Sequence, residues 1–443
     1  MAMLLHSDTA QKNRPERKVF SMNKITIAKH KKALVVISVF ILAFVIILLV
    51  SVRDNHGNAD GEYMEEYIYD SSDSRYNYSE HTVLYLADSG ILHMIDTASG
   101  KDMVYCDRPN CTHERPSLNN VNPSCPAVFY GHNLSAVLHN KHLYFIGNMT
   151  NEDVFKTQYL YEMDPNGQNR KIVASIDGVQ SVRFVLYRDN YVIGAYCNRV
   201  EVNEDGQIIN ENKPEAGIFV INLDAYEVYM GEKIIGEQAN ITGIHYEDGA
   251  VYYSSVHFGD DVTELMVSDA AGGGTENSFE SFVYDNMLFG VHRYDIASGN
   301  TALVKTLTHI HDLRLLDGDG YYVTKEGYFV LDKKSGETKE LPIDINAGTL
   351  WGGFRKHENV LYYAIFDSAG NEVTYYRMEN EKTDELMKLP PEKAFGIQNI
   401  CGNSVYINYT DDSGRFCLGV LSIDDLNNGN FNVKELRCYN EEE

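Results

Sequence analysis

One short pattern recurs along most of this 443-residue chain. A polar turn, often containing Gly, Asp or Asn, is followed by a strand of apolar and aromatic residues. Aromatic and β-branched residues suit a pleated, half-buried surface, and the chain has 31 tyrosines. The seven copies are His81–Leu86, Asn140–Phe145, Arg188–Ile193, Asp248–Tyr253, Asp319–Val323, Glu358–Tyr363 and Gly402–Ile407.

A second strand follows each copy and ends in a hydrophobic–acidic pair and another turn, as at Ile95-Asp96 and Tyr294-Asp295. A further strand follows each pair, for example at 337–341. Strand–turn–strand units that recur every roughly 40 to 70 residues are typical of β-propeller blades. A β-sandwich would not give seven look-alike units. We therefore predict an all-β, seven-bladed β-propeller, with six or eight blades as the alternatives.

Residues 33–52 form an apolar run without a charged side chain. A helix of about 20 residues crosses a hydrocarbon core of about 30 Å. Lys and Arg concentrate before this run, which places the N-terminus in the cytoplasm and the C-terminal part outside the cell membrane. A cleaved secretory signal is the alternative, but its apolar region is normally only about 7–15 residues long and ends at a small-residue cleavage site. The run predicts an uncleaved, single-pass signal-anchor helix.

The membrane segment divides the chain into parts of different charge. Eight of the 38 Lys and Arg residues and two of the 64 Asp and Glu residues precede it, so the remainder carries a net charge of −32. Such a surface repels nucleic acid, which we exclude as a partner. The predicted segments are a basic cytoplasmic tail at 1–32, the transmembrane helix at 33–52, a juxtamembrane tether at 53–61 and an extracellular propeller at 62–440. Met22 is an alternative start that leaves this topology unchanged.

A cysteine–histidine stretch lies between the first two repeat units, with the spacing Cys-x4-Cys-x-His-x11-Cys at Cys106, Cys111, His113 and Cys125. Three thiolates and one imidazole can complete a tetrahedral zinc shell, and soft sulfur donors favour that metal. The alternative is a disulfide, because these residues face an oxidising compartment in most cells. A disulfide between two of the three cysteines would leave the third unpaired. One structural zinc and a disulfide both remain open at this point.

This Cys/His stretch, followed by Tyr-rich repeats, resembles a family of uncharacterised bacterial membrane-anchored or lipid-anchored proteins. That family carries a low-density-lipoprotein-receptor-like β-propeller domain of unknown function and is common in anaerobic Gram-positive bacteria. The resemblance covers roughly Tyr67 to Tyr439. It implies that thiols could persist outside the cell, and it implies no activity.

The other four cysteines give weaker signals. Cys401 and Cys417 are sixteen residues apart, and we expect them on neighbouring strands of the last unit, where they could be paired or be buried thiols. Cys197 and Cys438 have no evident partners in the sequence. With seven cysteines in total, at least one thiol is free or bound otherwise.

No nucleophile elbow, zinc-protease helix, phosphate loop or dinucleotide fingerprint is present in the sequence. We therefore predict a binding or scaffolding module for an envelope glycan, a peptide or a protein partner. The alternative is a propeller enzyme, a glycan lyase or hydrolase, with its active site on the axis. Its candidate residues are His245, His292, His309, His311 and His357. Convergence of His and carboxylate side chains from several blades in one axial pocket would favour the enzyme.

Overall fold

The computed structural model describes residues 76–439, with gaps at 88–89, 116, 118–122, 130–135, 149–156, 200–212, 260–261, 263–265 and 267–275. These residues belong to the second of two compact units, Asp60–Glu443. In the described part of the chain, 29 strands form seven antiparallel sheets, each made from one continuous stretch of sequence. The prediction of an all-β, seven-bladed propeller is confirmed. No helix within the described ranges is long and apolar enough to cross a membrane, and the predicted span at 33–52 lies outside them.

Four strands run in chain order across each blade. The first strands are β1 (Tyr76–Tyr78), β5 (Val137–His139), β9 (Ser181–Arg188), β14 (Asn240–Glu247), β18 (Asp312–Leu316), β22 (Gly348–His357) and β26 (Phe395–Cys401). The second strands are β2 (Thr82–Leu86), β6 (His142–Gly147), β10 (Tyr191–Asn198), β15 (Ala250–Phe258), β19 (Asp319–Val323), β23 (Val360–Asp367) and β27 (Ser404–Thr410).

The third strands are β3 (Leu92–Asp96), β7 (Thr157–Met163), β11 (Glu215–Asn222), β16 (Met287–Asp295), β20 (Tyr328–Leu331), β24 (Val373–Glu379) and β28 (Phe416–Ser422). The outer strands are β4 (Lys101–Val104), β8 (Lys171–Asp177), β12 (Glu227–Met230), β17 (Asn300–Leu307), β21 (Thr338–Glu340), β25 (Lys382–Leu389) and β29 (Lys434–Cys438). A short extra strand, β13 (Ile234–Ile235), pairs with β11 in the third blade.

The first strand of each blade is the one that sequence patterns missed. The seven repeated segments correspond to the second strands, and the hydrophobic–acidic pairs end or follow the third strands. First strands contact first strands of neighbouring blades, as β14 contacts β18 and β22 contacts β26, so they line the axis. We call them the inner strands.

Seven hydrophobic clusters account for the packing of the described residues, and each lies between two adjacent blades. Tyrosine contributes to most of them: Tyr253, Tyr362 and Tyr375, for example, are almost fully buried. Burial of about 150–250 Å² per aromatic side chain makes these rings major contributors to blade packing. The sequence-wide abundance of tyrosine therefore follows from the need to fill seven similar interfaces.

The ring closes where blade 7 meets blade 1. The Tyr406 hydroxyl donates to the Ser79 carbonyl oxygen at 2.5 Å, and the Tyr78 and Tyr406 rings lie 4.7 Å apart. Lys434 on the outer strand donates to the carbonyl oxygen of Thr97 at 2.8 Å. No strand of one of these blades pairs with the sheet of the other, so side-chain packing and these polar contacts join them.

A disulfide joins Cys417 of β28 to Cys438 of β29, which are directly paired across the two strands. A Cys401–Cys417 pairing is therefore wrong, because Cys401 lies on the inner strand β26 and is buried against blade 1. Cys197 is a free thiol buried between blades 3 and 4.

Two 3₁₀-helices, Ile345–Ala347 and Pro391–Lys393, and two α-helices interrupt the strand pattern in the described residues. We label the α-helices α1 (Glu276–Asn286) and α2 (Ile423–Asn427). Helix α1 directly precedes β16, the third strand of blade 4. Ser422 caps α2 by accepting a hydrogen bond from the Asp425 amide at 3.0 Å.

Candidate functional site

The four residues of the predicted metal site converge. One donor atom from each of Cys106, Cys111, His113 and Cys125 lies within 4.8 Å of the others, and these residues could hold a metal ion. Nδ1 of His113 is 3.3 Å from Sγ of Cys125. The three cysteines are free thiols, so no disulfide joins any two of them. Three sulfurs and one imidazole nitrogen match the donor set of structural zinc sites.

The Cys/His loop, residues 105–129, ties blade 1 to blade 2. Its C-terminal part pairs with blade 1, because the Leu92 amide donates to the Ala127 carbonyl oxygen at 2.7 Å and Ile91 forms a bridge with Val128. Cys125 is buried in the hydrophobic cluster between the two blades, and Cys106 and Cys111 pack against it. A metal held here would fix the connection between blades 1 and 2.

The thiols of this loop differ in acidity. A backbone hydrogen bond involving His113 lowers the pKa of Cys111, whereas burial raises the pKa of Cys125 to about 12. A thiol with such a raised pKa is neutral near pH 7, but a coordinated divalent cation deprotonates it. Metal binding would therefore release a proton from Cys125.

Two arginines hold the segment that carries Cys125. Arg108 donates to the Ser124 carbonyl oxygen at 2.6 Å, and Arg170 donates to the carbonyl oxygens of Pro126 and Val128 at 2.9 and 3.1 Å. The Arg170 guanidinium also lies 4.5 Å from the centre of the Phe129 ring. Burial lowers the pKa of Arg170 to about 10, which leaves it positively charged near pH 7. Both cations suit a site with three thiolates and a divalent metal, which carries one net negative charge.

A second candidate site is a cavity of about 170 Å³ on the axis, which we call the axial cavity. Its lining comes from the inner strands of blades 4 to 7 and the turns that follow them. Ten of the thirteen lining residues are polar or charged: Thr242, Asp312, Arg314, Asp317, Arg355, Lys356, His357, Glu358, Gln398 and Asn399. Leu313, Leu316 and Ile400 complete the wall. Polar groups convergent in a cleft are characteristic of ligand sites.

β-Bulges shape this wall. The pairing register shifts at Thr242 in β14, at 352–354 in β22 and at Gln398 in β26. Bulges redirect side chains that regular pleating would place elsewhere. In β22 the bulge requires two consecutive glycines, because both have positive φ, 66° at Gly352 and 76° at Gly353. A Cβ at Gly353 would lie 3.0 Å from the Arg314 guanidinium carbon, so glycine also leaves room for that side chain.

Charged groups in the axial cavity are paired across blades and along strands. Lys356 of blade 6 bonds the Asp317 carboxylate of blade 5 at 2.7 Å, and Arg314 donates to Asp312 at 2.9 Å. Arg355 donates to the carbonyl oxygens of Gln398 and Phe354 at 3.2 and 2.8 Å. These contacts hold three cationic side chains at one place on the axis.

Of the five candidate catalytic histidines, His357 lines the axial cavity. The structure places the others elsewhere: His245, His292, His309 and His311. His245 is buried 3.4 Å from the Lys333 ammonium, and His292 is buried against Ser255 at 2.8 Å. Burial lowers the pKa of both to about 4. The histidines therefore do not form one cluster, although His357 lines the same cavity as carboxylates from two blades.

Sequence reasoning missed Arg314, Arg355 and Lys356. They belong to inner strands, which the repeated pattern does not include. The two glycines just before Phe354 could have indicated this part of the wall. Glycine inside a strand often marks a bulge or a place where another group approaches the backbone closely.

No protein-family model matches the chain, and no curated protein sequence matches it. Solved structures with a similar fold include a puromycin-hydrolyzing peptidase of Mycobacterium tuberculosis, with TM-score 0.50, 12% identity and coverage of 84% of this chain and 56% of that one. An acylaminoacyl peptidase of Pyrococcus horikoshii has TM-score 0.47 and 10% identity, and the match covers 82% of this chain and 54% of that one. An oligogalacturonate lyase of Vibrio parahaemolyticus has TM-score 0.42 and 10% identity, and the match covers 83% of each chain. This chain thus spans little more than half of either peptidase. At 12% identity, the likeness to the puromycin-hydrolyzing peptidase shows a similar fold and nothing more.

Proposed function

We propose that this chain is a membrane-anchored, extracytoplasmic binding module whose ligand, an envelope glycan, a peptide or part of a protein, enters the axial cavity. The anchor in this proposal is the apolar run at 33–52. We propose as well that the chain belongs to the bacterial family that carries a low-density-lipoprotein-receptor-like β-propeller domain. The observation that carries the binding function is the convergence of ten polar residues from four blades around one cavity.

Thr242 offers a direct test of the axial cavity. Thr242→Phe should fill part of it and weaken ligand binding by about tenfold or more, since a ligand of the cavity cannot overlap the new ring. The measurement is binding of the full-length chain to an array of bacterial envelope glycans and peptides. Thr306→Phe, on the exposed face of the outer strand β17, is the matched control and should bind as the wild type does. If both variants retain every ligand found for the wild type, the axial cavity is not the binding site.

The alternative function, a glycan lyase or hydrolase, is favoured by one specific observation. His357 lines the axial cavity together with the carboxylates of Asp312, Asp317 and Glu358. A histidine and a carboxylate within one cleft are the groups that general acid–base catalysis uses. Mass spectrometry of each bound glycan after incubation distinguishes the two functions, because a binding module returns it intact.

We also propose that Cys106, Cys111, His113 and Cys125 hold one structural zinc ion. The support is the set of four convergent donors in a loop that joins two blades. A closed set of four protein ligands leaves no position for a substrate, which favours a structural role over a catalytic one.

Arg170 provides a test of how the loop supports this zinc. Arg170→Met should weaken zinc affinity by about 10- to 100-fold, because partners that orient a ligand-bearing segment have effects of this size. Competition with a chelator of known affinity measures the change. Arg377→Met removes a guanidinium that pairs with Asp384 on blade 6 and should leave zinc affinity unchanged. Equal affinities in the two variants would show that Arg170 does not position the site.

A further inference from the structure

Blade 7 contains a second group of metal-ligating side chains, separate from the Cys/His loop. One donor atom from each of Asp411, Cys417, Glu435 and Cys438 lies within 4.8 Å of the others, and these residues could hold a metal ion. Asp411 follows the second strand β27, Cys417 lies on β28, and Glu435 and Cys438 lie on the outer strand β29. Three neighbouring parts of one sheet therefore bring four donors to one place.

A β-bulge in β29 makes this convergence possible. Regular alternation places residues three apart on opposite faces of a strand, so Glu435 and Cys438 would point away from each other. The pairing of β29 with β28 passes from Arg437 to Glu435 and skips Leu436. The extra residue brings Glu435 to the same face as Cys438. Bulges are frequent next to functional sites, where they redirect a side chain in this way.

The two carboxylates of this group already attract a cation. The Arg415 guanidinium lies 2.7 Å from Oδ2 of Asp411 and 3.8 Å from Oε2 of Glu435. The backbone amides of Ser413 and Arg415 each donate to Oδ1 of Asp411 at 2.9 Å, so Oδ2 is the oxygen that faces the cation. The Arg415 side chain is half exposed, and an ion pair of this kind contributes little to stability. A divalent cation can therefore displace the guanidinium.

The two sulfur donors of this group are joined by the Cys417–Cys438 disulfide, so they become metal ligands only after reduction. Cys438 is partly exposed on an edge strand, which gives a reductant access to the bond. A dithiol supplies two electrons and two protons: its own sulfurs form a disulfide, and two S–H bonds replace the S–S bond of the protein. A zinc ion then displaces the two thiol protons and forms two Zn–S bonds.

Zinc accepts thiolate and carboxylate ligands, and four of them complete its tetrahedral shell. We propose that reduction of the Cys417–Cys438 disulfide converts Asp411, Cys417, Glu435 and Cys438 into a zinc site. The link between β28 and β29 is then a disulfide in the oxidised chain and a metal ion in the reduced chain. Because β29 carries side chains that bond blade 1, either link supports closure of the ring. This site is additional to the proposed zinc of the Cys/His loop and independent of the ligand of the axial cavity.

The test counts the zinc bound by the full-length chain before and after reduction. The chain is treated with dithiothreitol, freed of it by gel filtration without oxygen, loaded with zinc chloride and filtered again. Elemental analysis should give about one zinc per chain for the untreated protein and about two for the reduced protein. Thiol counting on the denatured chain in chelator, before zinc is added, should rise from five cysteines to seven.

Glu435→Gln tests the ligand set. It keeps the size of the side chain and removes its charge, so the reduced chain should bind its second zinc at least about tenfold more weakly, as measured by competition with a chelator. Glu385→Gln is the matched control, because Glu385 is also 51% exposed, lies on an outer strand and pairs with a cation, Lys388. Cys111→Ala isolates the second site and should hold zinc only after reduction.

The outcomes separate the two zinc proposals. The same zinc content in both redox states overturns the inference and leaves the zinc of the Cys/His loop unaffected. An untreated chain without zinc that gains one ion on reduction supports the inference and contradicts the zinc of the Cys/His loop. A thiol count that stays at five after reduction overturns the inference, because the site then does not form. Equal affinities of Glu435→Gln and Glu385→Gln would show that Glu435 is not a ligand, which overturns the four-residue site.

Discussion

Cys111→Ala is expected to leave the full-length chain with almost no zinc after gel filtration, whereas the wild type is expected to retain about one atom per chain. A tetrahedral site that loses one of three thiolates loses much of its affinity, and the remaining groups offer only three donors. The melting temperature should also fall, because the loop at 105–129 connects blades 1 and 2 and carries part of their shared hydrophobic cluster. Elemental analysis and thermal denaturation, with and without a chelator, measure the two effects.

Cys401→Ala is the matched control for this experiment. It makes the same chemical change at another cysteine that forms no disulfide, which is buried between blades 7 and 1, whereas the Cys/His loop lies between blades 1 and 2. It should keep its zinc and lose the packing of one sulfur atom together with the hydrogen bond that the thiol donates to the Tyr78 carbonyl oxygen at 3.7 Å. A wild-type chain that is free of zinc and contains a Cys106–Cys111 or Cys111–Cys125 disulfide would overturn the zinc proposal.

Replacing both Cys417 and Cys438 by Ala should lower the free energy of unfolding by about 3 kcal/mol. The cysteines are 21 residues apart, and opening a loop of this length returns conformational entropy to the unfolded chain. The bond also anchors β29, whose Arg437 contacts the Tyr85 hydroxyl of blade 1 and whose Lys434 bonds the Thr97 carbonyl oxygen. Its loss should therefore loosen the closure of the ring. Urea denaturation followed by tyrosine fluorescence measures the change.

Thiol counting provides the companion observation. The denatured wild-type chain, in chelator and without reductant, should react with a thiol reagent at five cysteines, and the double alanine variant should also show five. A count of seven in the wild type would contradict the disulfide, and an unchanged unfolding free energy would contradict its contribution to ring closure.

The parts of this fold that can be predicted from the sequence are the strands that meet the same packing requirement in every blade. Second and third strands pack between blades, so they repeat the same apolar and aromatic pattern, and the segment Asp248–Tyr253 could be recognised as a copy of Glu358–Tyr363. The Cys/His group could likewise be predicted, because its donors are close in sequence and their chemistry is specific.

The inner strands could not be predicted in this way. They face the axis, where the side chains needed depend on the ligand rather than on a shared core. Bulges at Thr242, Gln398 and the glycines before Phe354 also break the alternation that would have indicated a strand. The axial cavity therefore became visible only in three dimensions. The Cys417–Cys438 disulfide was missed for a different reason, since the register of the last strand depends on a bulge at Leu436.

Each sheet is a continuous stretch of the chain, and this has a consequence for protein engineering. The described ends lie side by side, since the Tyr76 and Tyr439 rings are in edge contact at 6.3 Å. A short linker between these ends would convert the domain into a closed circle. New termini could then be opened between any two blades without cutting a sheet. Circular permutation should consequently be tolerated at most of the six remaining blade junctions, and the junction that carries the Cys/His loop should be the exception.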